Sequence, residues 1–543
     1  MGSKQTTTKG FAILSAAGVI NKILALAYLP IQTYFVHDYG NGIISTGYTI
    51  YIFIFSLSNA GIPVAISKLI SEQDARGNYA GSQRILKTAG IIMLCFGIFF
   101  GALMALGAQS IANFNSQPKA SLMILALSPA LLFTSVSSVF RGYFQGKLNM
   151  IPTAVSQVVE QALNSVLTIV FIAVLIKYGV EAAAAGSTIG TSIGAMGAAL
   201  FLSLTYMKNR RGRNEELKNS KYTGEELSYK YILKQIRIYS VPVLLGIIAI
   251  NLNNLIDLKL CVSRLMAGGF GYVPATELYG ILTNQFQKIL NLPLAITGAL
   301  PVALIPAIST AVAMKDIKML ERKINESFRM ILLLIIPAAT GLAVLAKPVI
   351  TFVFFSQNNG ADLMLIGSWV IILNALIFVQ TAVLIGTGKP HLPPVNLIAG
   401  MITKIILSYI LIAIPSINVK GAILGSLLGY LMTCILNHIS LKRFAGLAPN
   451  YSKLIWKPIF ASLVMGISAY GIYHAAYFLF RILIHSKILL SDISLIIAVA
   501  FGACIYFIAL LFLRAVNSDD ILKLPFGAKL RIYLIKKRVF PEQ

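Results

Sequence analysis

The stretch FRGYFQGKLNMIPTAVSQVVEQ, Phe140 to Gln161, lies between two long apolar runs and carries an arginine, a lysine and a glutamate. Charge in such a setting is costly. The reading adopted is a helix closed by Phe140, a hairpin over 141–151, and a second helix started by Pro152, a residue suited to a first helical turn. If both flanking runs cross a bilayer, Arg141 and Lys147 mark one membrane face and Glu160 is carried inward.

The composition supports a membrane chain. Of the 543 residues, 57% are hydrophobic and 12% charged, against about 25% charged in a soluble domain. Mean hydropathy is +0.79. The net charge of +26 raises nucleic acid as a partner, but the basic residues sit in short gaps between apolar runs. That pattern belongs to the positive-inside rule, and nucleic acid is excluded. Cys95, Cys261, Cys434 and Cys504 are dispersed without a CxxC spacing, so neither a zinc site nor a disulfide framework is expected.

Runs of about 20 apolar residues suffice to span hydrocarbon. Cutting at charged, Pro/Gly and Asn-rich breaks predicts an all-α polytopic fold of 14 transmembrane helices near 11–36, 43–66, 84–107, 120–140, 151–176, 182–206, 237–262, 277–310, 328–354, 362–386, 394–414, 421–441, 456–480 and 491–513. With the N-terminus inside, about three quarters of the 45 Lys and Arg fall in inner loops and ends, which predicts both termini in the cytoplasm.

Three matches recur about 240 residues apart. Ile62-Pro63-Val64-Ala65-Ile66 returns as Leu300-Pro301-Val302-Ala303-Leu304, Gly146-Lys147 with Pro152 as Gly388-Lys389 with Pro394, and Ala183, Gly186, Ser187 and Gly190 as Ala422, Gly425, Ser426 and Gly429. The implied organisation is two parallel six-helix repeats plus two C-terminal helices. Its segments are an N-terminal lobe over 1–206, a basic linker over 207–236, a C-terminal lobe over 237–441, helices 13 and 14 over 442–513, and a basic tail over 514–543. Gly186, Gly190 and Gly194 have the spacing that lets helices approach closely, and packing is their expected role.

Charges within the spans are the candidate site. Lys288 lies about 16 Å from Glu277 along its helix, Lys404 about 15 Å from Pro394, and Glu160 about 12 Å from Pro152. Lys22 is on the first helix. Facing one cavity, Lys22, Lys288, Lys404 and Glu160 would suit an anionic ligand such as a phosphate or pyrophosphate. The alternative is a buried Lys–Glu pair that only holds helices together. Arg141, at a helix end, is a further candidate because its fork holds phosphate bidentately. Asp257 and Asn254 form a candidate cation site, with an exposed interfacial carboxylate as the other reading of Asp257. No catalytic residue and no metal cluster is expected.

The pattern Phe140-Arg141-Gly142, Gln145-Gly146, Met150, Pro152-Thr153-Ala154, Ser156-Gln157 and Glu160-Gln161 resembles the polysaccharide-biosynthesis transporters of Gram-positive bacteria. These comprise the MurJ-type lipid II flippases and the stage V sporulation protein B group, within the multidrug/oligosaccharidyl-lipid/polysaccharide exporter superfamily. The resemblance implies a transporter rather than an enzyme, one that flips an undecaprenyl-pyrophosphate-linked precursor across the bacterial plasma membrane by alternating access. It implies a cationic cavity for the pyrophosphate and a groove on the last two helices for the lipid tail. Lys22 and Lys288 match positions where the family places a basic residue, often arginine. Lys68 is only a loose match for the basic residue of the second helix.

The expected partners are lipid II, membrane lipids and the cell-wall synthesis machinery. No cofactor is expected, since the chain has no Walker A motif, and coupling is to membrane potential, Na⁺ or H⁺. The alternatives are export of another lipid-linked polysaccharide precursor, and multidrug cation antiport within the same superfamily.

Overall fold

The computed structural model describes residues 7–59, 61–218, 227–297, 300–355, 357–446, 449 and 451–515. Among them no strand occurs and the regular elements are helices. In chain order they are α1 (Thr7–Asn59), α2 (Ile62–Ala75), α3 (Tyr79–Leu106), α4 (Ala108–Phe114), α5 (Ser121–Gly146), α6 (Ile151–Leu175), α7 (Val180–Lys208), α8 (Arg210–Lys218), α9 (Tyr229–Ala267) and α10 (Tyr272–Gly280). The rest are α11 (Lys288–Thr297), α12 (Leu300–Ala313), α13 (Ile317–Val344), α14 (Ala346–Phe354), α15 (Ala361–Gly367), α16 (Val370–Gly386), α17 (Leu392–Leu411), α18 (Lys420–Ser440), α19 (Tyr451–Phe480) and α20 (Lys487–Phe512). Among the described residues ten helical segments are long and apolar enough to cross a membrane, or eleven if the bent α15–α16 pair is one span. Apolar side chains stay exposed along them, as with Phe99 at 60%, Ile467 at 74% and Phe478 at 75%. Such faces fit lipid.

The chain divides into two units. The first holds residues up to Asn284 together with Ala413–Ser416, and the second holds Gln285–Ile412 and the residues from Ile417 onward.

In the first unit, α1 is 53 residues long. A straight helix of that length would reach ~80 Å, far more than a hydrocarbon core of ~30 Å. It breaks at His37, whose φ of 52° and ψ of −168° are non-helical. Polar side chains gather around the break. Gln32 Nε2 donates to Asn41 Oδ1 at 2.7 Å, and Thr33 Oγ1 accepts from Asn41 Nδ2 at 3.1 Å and from Asn284 Nδ2 at 3.0 Å. All four residues are buried. The α10 backbone closes against the same place, since a Cβ on Gly280 would meet the carbonyl of Asp38 and one on Gly42 the carbonyl of Thr276. A second core joins Ile66 and Ile70 of α2, Ile85 and Met93 of α3, and Ile232 of α9.

The predicted hairpin of the opening stretch is shorter than expected. α5 continues through Phe140 and Arg141 to Gly146, so only residues 147–150 form the turn, with Leu148 at φ 56°. Gly142 does not end the helix, and with Gly146, the last residue of α5, it forms the contact surface. A Cβ on Gly142 would lie 2.9 Å from the Pro63 carbonyl oxygen, and one on Gly146 2.8 Å from that of Ser67. α2 thus packs backbone against backbone on α5, and the lost side chains are what the approach requires.

The α6–α7 contact follows the same rule. A Cβ on Gly190 would stand 2.9 Å from Thr168 N, and one on Gly194 2.7 Å from the Glu160 carbonyl oxygen. In the second unit α17 and α18 meet in the same manner, with Gly429 set against the Gly400 carbonyl oxygen at 2.7 Å and Lys404 Cβ at 2.8 Å. The packing role expected of Gly186, Gly190 and Gly194 is therefore the observed one.

Elsewhere in the second unit, α13 packs on α19 and α20. Tyr506 Oη donates to the Leu333 carbonyl at 2.7 Å, and Leu345, Ala469, Leu495 and Ala498 form a buried cluster. The run 277–310, expected as one span, changes helix type along its length, and residues 298 and 299 lie outside the described residues. It comprises the end of α10, a π-helical segment Ile281–Gln287, then α11 with Pro293 inside and α12 with Pro306 inside. Each proline removes an intrahelical hydrogen bond.

The glycine seams set a first test. Gly194→Ala should lower the melting temperature in detergent by the equivalent of about 1–3 kcal/mol of overpacking. Gly90→Ala, with nothing within 4 Å of the new methyl, should be neutral or gain up to about 1 kcal/mol. A scan in which the two variants melt alike removes the close-approach argument.

Candidate functional site

The deep charges are placed by helix packing. Glu160 is about two and a half turns into α6, one turn beyond Ser156 on the same face, and both face α5. Arg141 Nη2 donates to Glu160 Oε2 at 2.6 Å, and its Nε donates to Ser156 Oγ at 3.1 Å. The side chains are 19% and 26% exposed. Arg141 is thus not a loop residue but a helical one, and its fork is already occupied by a carboxylate. Glu160 has the pairing foreseen as its structural role, with arginine in place of lysine.

Lys147, at the turn after α5, is held more firmly still. Its Nζ lies 2.7 Å from Asp74 Oδ2 of α2 and 2.9 Å from Glu216 Oε2 of α8, and stands 4.8 Å from the Tyr79 ring centroid. One cation therefore ties three helix ends together. Lys68 pairs with Glu72 at 3.8 Å in an exposed i,i+4 contact, and its Nζ lies 3.8 Å from the Tyr239 ring centroid.

Lys22 is exposed on α1. Ser165 Oγ of α6 donates to the Leu24 carbonyl at 3.4 Å. Lys22 and Glu160 are each within about two turns of that contact, on adjoining helices. Lys288 and Lys404 belong to the second unit. Lys288 is half-buried and is the first residue of α11, directly after the π-helical segment. That segment is anchored by Gln285, whose Oε1 accepts from Gly360 N at 2.8 Å. Lys404 is 3% exposed and sits in the α17–α18 seam beside Gly429.

The candidate cation site divides differently. Asp257 is 7% exposed, which corrects the interfacial, exposed reading, whereas Asn254 is exposed. Neighbouring Asn251 donates through Nδ2 to Ser56 Oγ at 2.5 Å. Among the described residues no group of three or more His, Cys, Asp or Glu could hold a metal ion.

Sequence reasoning missed the uncharged cluster of Gln32, Thr33, Asn41 and Asn284. Its signal was amide and hydroxyl side chains inside apolar runs, where each needs a partner.

These long helices with lipid-facing apolar sides, and with Arg141, Glu160 and Lys147 paired among them, make a multi-pass membrane fold. It resembles an inward-facing multidrug resistance MATE family transporter of the MOP superfamily, at TM-score 0.65 and 14% identity, over 80% of this chain and 98% of that one. It also resembles the inward closed conformation of lipid II flippase MurJ, at TM-score 0.63 and 16% identity, over 93% of this chain and 99% of that one. The model of the polysaccharide biosynthesis protein family matches residues 7–312, and the chain belongs to that family. Among its relatives in Bacillus subtilis (strain 168), lipid II flippase MurJ is 29% identical over 92% of this chain and 94% of its own length. Stage V sporulation protein B is 26% identical over 98% of this chain and 100% of its own length.

Removing one member of the Arg141–Glu160 pair leaves a partly buried charge. Glu160→Ala should cost about 1–3 kcal/mol in a detergent melt, short of the ~3–5 kcal/mol for a fully buried pair. The double variant Arg141→Met/Glu160→Leu should recover most of the loss. If the double variant melts as low as Glu160→Ala alone, the pair is not what holds α5 to α6.

Proposed function

We propose that this protein flips lipid II, the undecaprenyl-pyrophosphate-linked peptidoglycan precursor, from the inner to the outer leaflet of the bacterial plasma membrane by alternating access. The observation that carries the reading is the full-length likeness to a lipid II flippase. It is supported by the three lysines within helical spans, Lys22, Lys288 and Lys404, which we assign to the pyrophosphate and sugars. Arg141 and Glu160 we assign to positioning α5 against α6 rather than to ligand contact.

The proposal includes fourteen spans in two parallel six-helix repeats, 1–206 and 237–441, joined by the basic linker 207–236. Helices 13 and 14 then hold the prenyl chain, and both termini lie in the cytoplasm. The driving force we assign to the membrane potential or to a coupled Na⁺ or H⁺.

A second reading, transport of another lipid-linked polysaccharide precursor, is favoured by the comparable likeness to stage V sporulation protein B. Depletion of the native lipid II flippase in a bacterium, with rescue by this gene, separates the two. Growth should be restored by the unaltered chain and lost with Lys22→Ala/Lys288→Ala. Absence of rescue at normal expression overturns the lipid II assignment, and rescue that survives the double substitution overturns the lysine assignment.

A further inference from the structure

A cavity of ≈ 580 Å³ lies within the first unit, lined by one face of α9 together with Leu57 of α1, Ile62 of α2, and Ile92 and Phe96 of α3. Its size falls in the range of about 300–1,000 Å³ typical of small-ligand sites. Along α9 the lining cations Lys230, Lys234 and Arg237 precede the apolar Val241 and Leu244, and Ile92 and Phe96 of α3 line the cavity as well. The three cations recur at i, i+4 and i+7, which puts them on one face of α9. All three are exposed, and among the described residues none is in an ion pair.

Two features separate this row from ordinary topogenic charge. The positive-inside rule requires cations near a span but does not sort them onto one face. Lys230 moreover stands in the first turn of α9, where the helix dipole disfavours a cation. Its place is not explained by the helix that carries it.

The apolar half completes the argument. Phe96 and Val241 at the rim are 40% and 39% exposed, so the groove meets hydrocarbon laterally. From Lys230 to Leu244 the face runs about 21 Å, enough to reach from a headgroup past the depth of one leaflet, about 15 Å. A row of cations above a lateral apolar groove is complementary to an amphiphile with a phosphate headgroup and acyl chains.

We propose that this groove is a binding site for an anionic phospholipid of the surrounding leaflet, with the phosphate held by Lys230, Lys234 and Arg237 and an acyl chain along Ile92, Phe96 and Leu244. Its residues are not among the lysines assigned to the flipped headgroup, and the inference does not rest on that assignment.

The test uses the full chain in detergent, titrated with dioleoyl phosphatidylglycerol or dioleoyl phosphatidylcholine and read by native mass spectrometry. Phosphatidylglycerol should bind more tightly. Lys230→Gln/Lys234→Gln/Arg237→Gln should weaken it by about 100-fold, whereas Lys208→Gln/Arg210→Gln/Arg211→Gln, an equal loss of charge, should change it by less than about threefold. Val241→Trp, which fills the groove and keeps every cation, should weaken it by about tenfold. Equal losses in the two triple variants would mean diffuse attraction and overturn the site. So would unchanged binding in Val241→Trp, displacement by millimolar inorganic phosphate, or preferential displacement by undecaprenyl pyrophosphate.

Discussion

Hydrocarbon offers a backbone amide no water to bond, so a chain that crosses it must satisfy each N–H and C=O within itself. The helices answer that demand along their lengths, and the informative places are where they break. At His37 the interruption of α1 coincides with Gln32, Thr33, Asn41 and Asn284, polar side chains that bond one another. At 281–313 the chain accommodates Pro293 and Pro306 within helices and changes helix type over Ile281–Gln287. At the α1 break the four polar side chains are buried, although His37 itself is exposed.

The same constraint governs charge. A lone cation or carboxylate in the membrane costs roughly 2.5–3.5 kcal/mol on insertion scales, and the first unit meets that cost by pairing. Arg141 finds Glu160 across the α5–α6 contact, and Lys147 finds two carboxylates at the helix ends. Pairing also fixes geometry, since α2, α5 and α8 are all tied to one ammonium. Lys22, by contrast, is exposed on a helix that adjoins the paired residues, and it is this difference that singles it out as a ligand candidate.

How far this was legible in the sequence follows from which signals are local. Apolar runs are local, and each expected span contains helix. The helix was closed too early at Phe140 because Arg141 and the following glycine read as a break when seen alone, while the partner that makes Gly142 a contact surface, α2, lies some eighty residues away in sequence. Glu160 was recognised as deep, but its partner was sought among lysines because Arg141 had been placed outside the helix. For Asp257 a cation site and an exposed interfacial carboxylate were both open from its distance along the chain, and burial depends on neighbours that distance along one helix does not reveal. The uncharged polar cluster at His37 was overlooked because a hydrogen-bond network is a property of four side chains at once. The lysines could be listed, yet their grouping is a matter of tertiary structure.

The glycine seams have a consequence for how such a chain can change over time. Lipid-facing positions accept one apolar residue for another with little penalty, so they drift. At Gly194 or Gly429 a first methyl already collides with a partner's main chain, which no compensating side-chain change can move aside. Substitution there has to wait for the two helices to separate along their whole shared length. The seams α6–α7 and α17–α18 are thus ratchets in the history of the fold, places where the chain's ancestry should stay readable after the surrounding sequence has been rewritten.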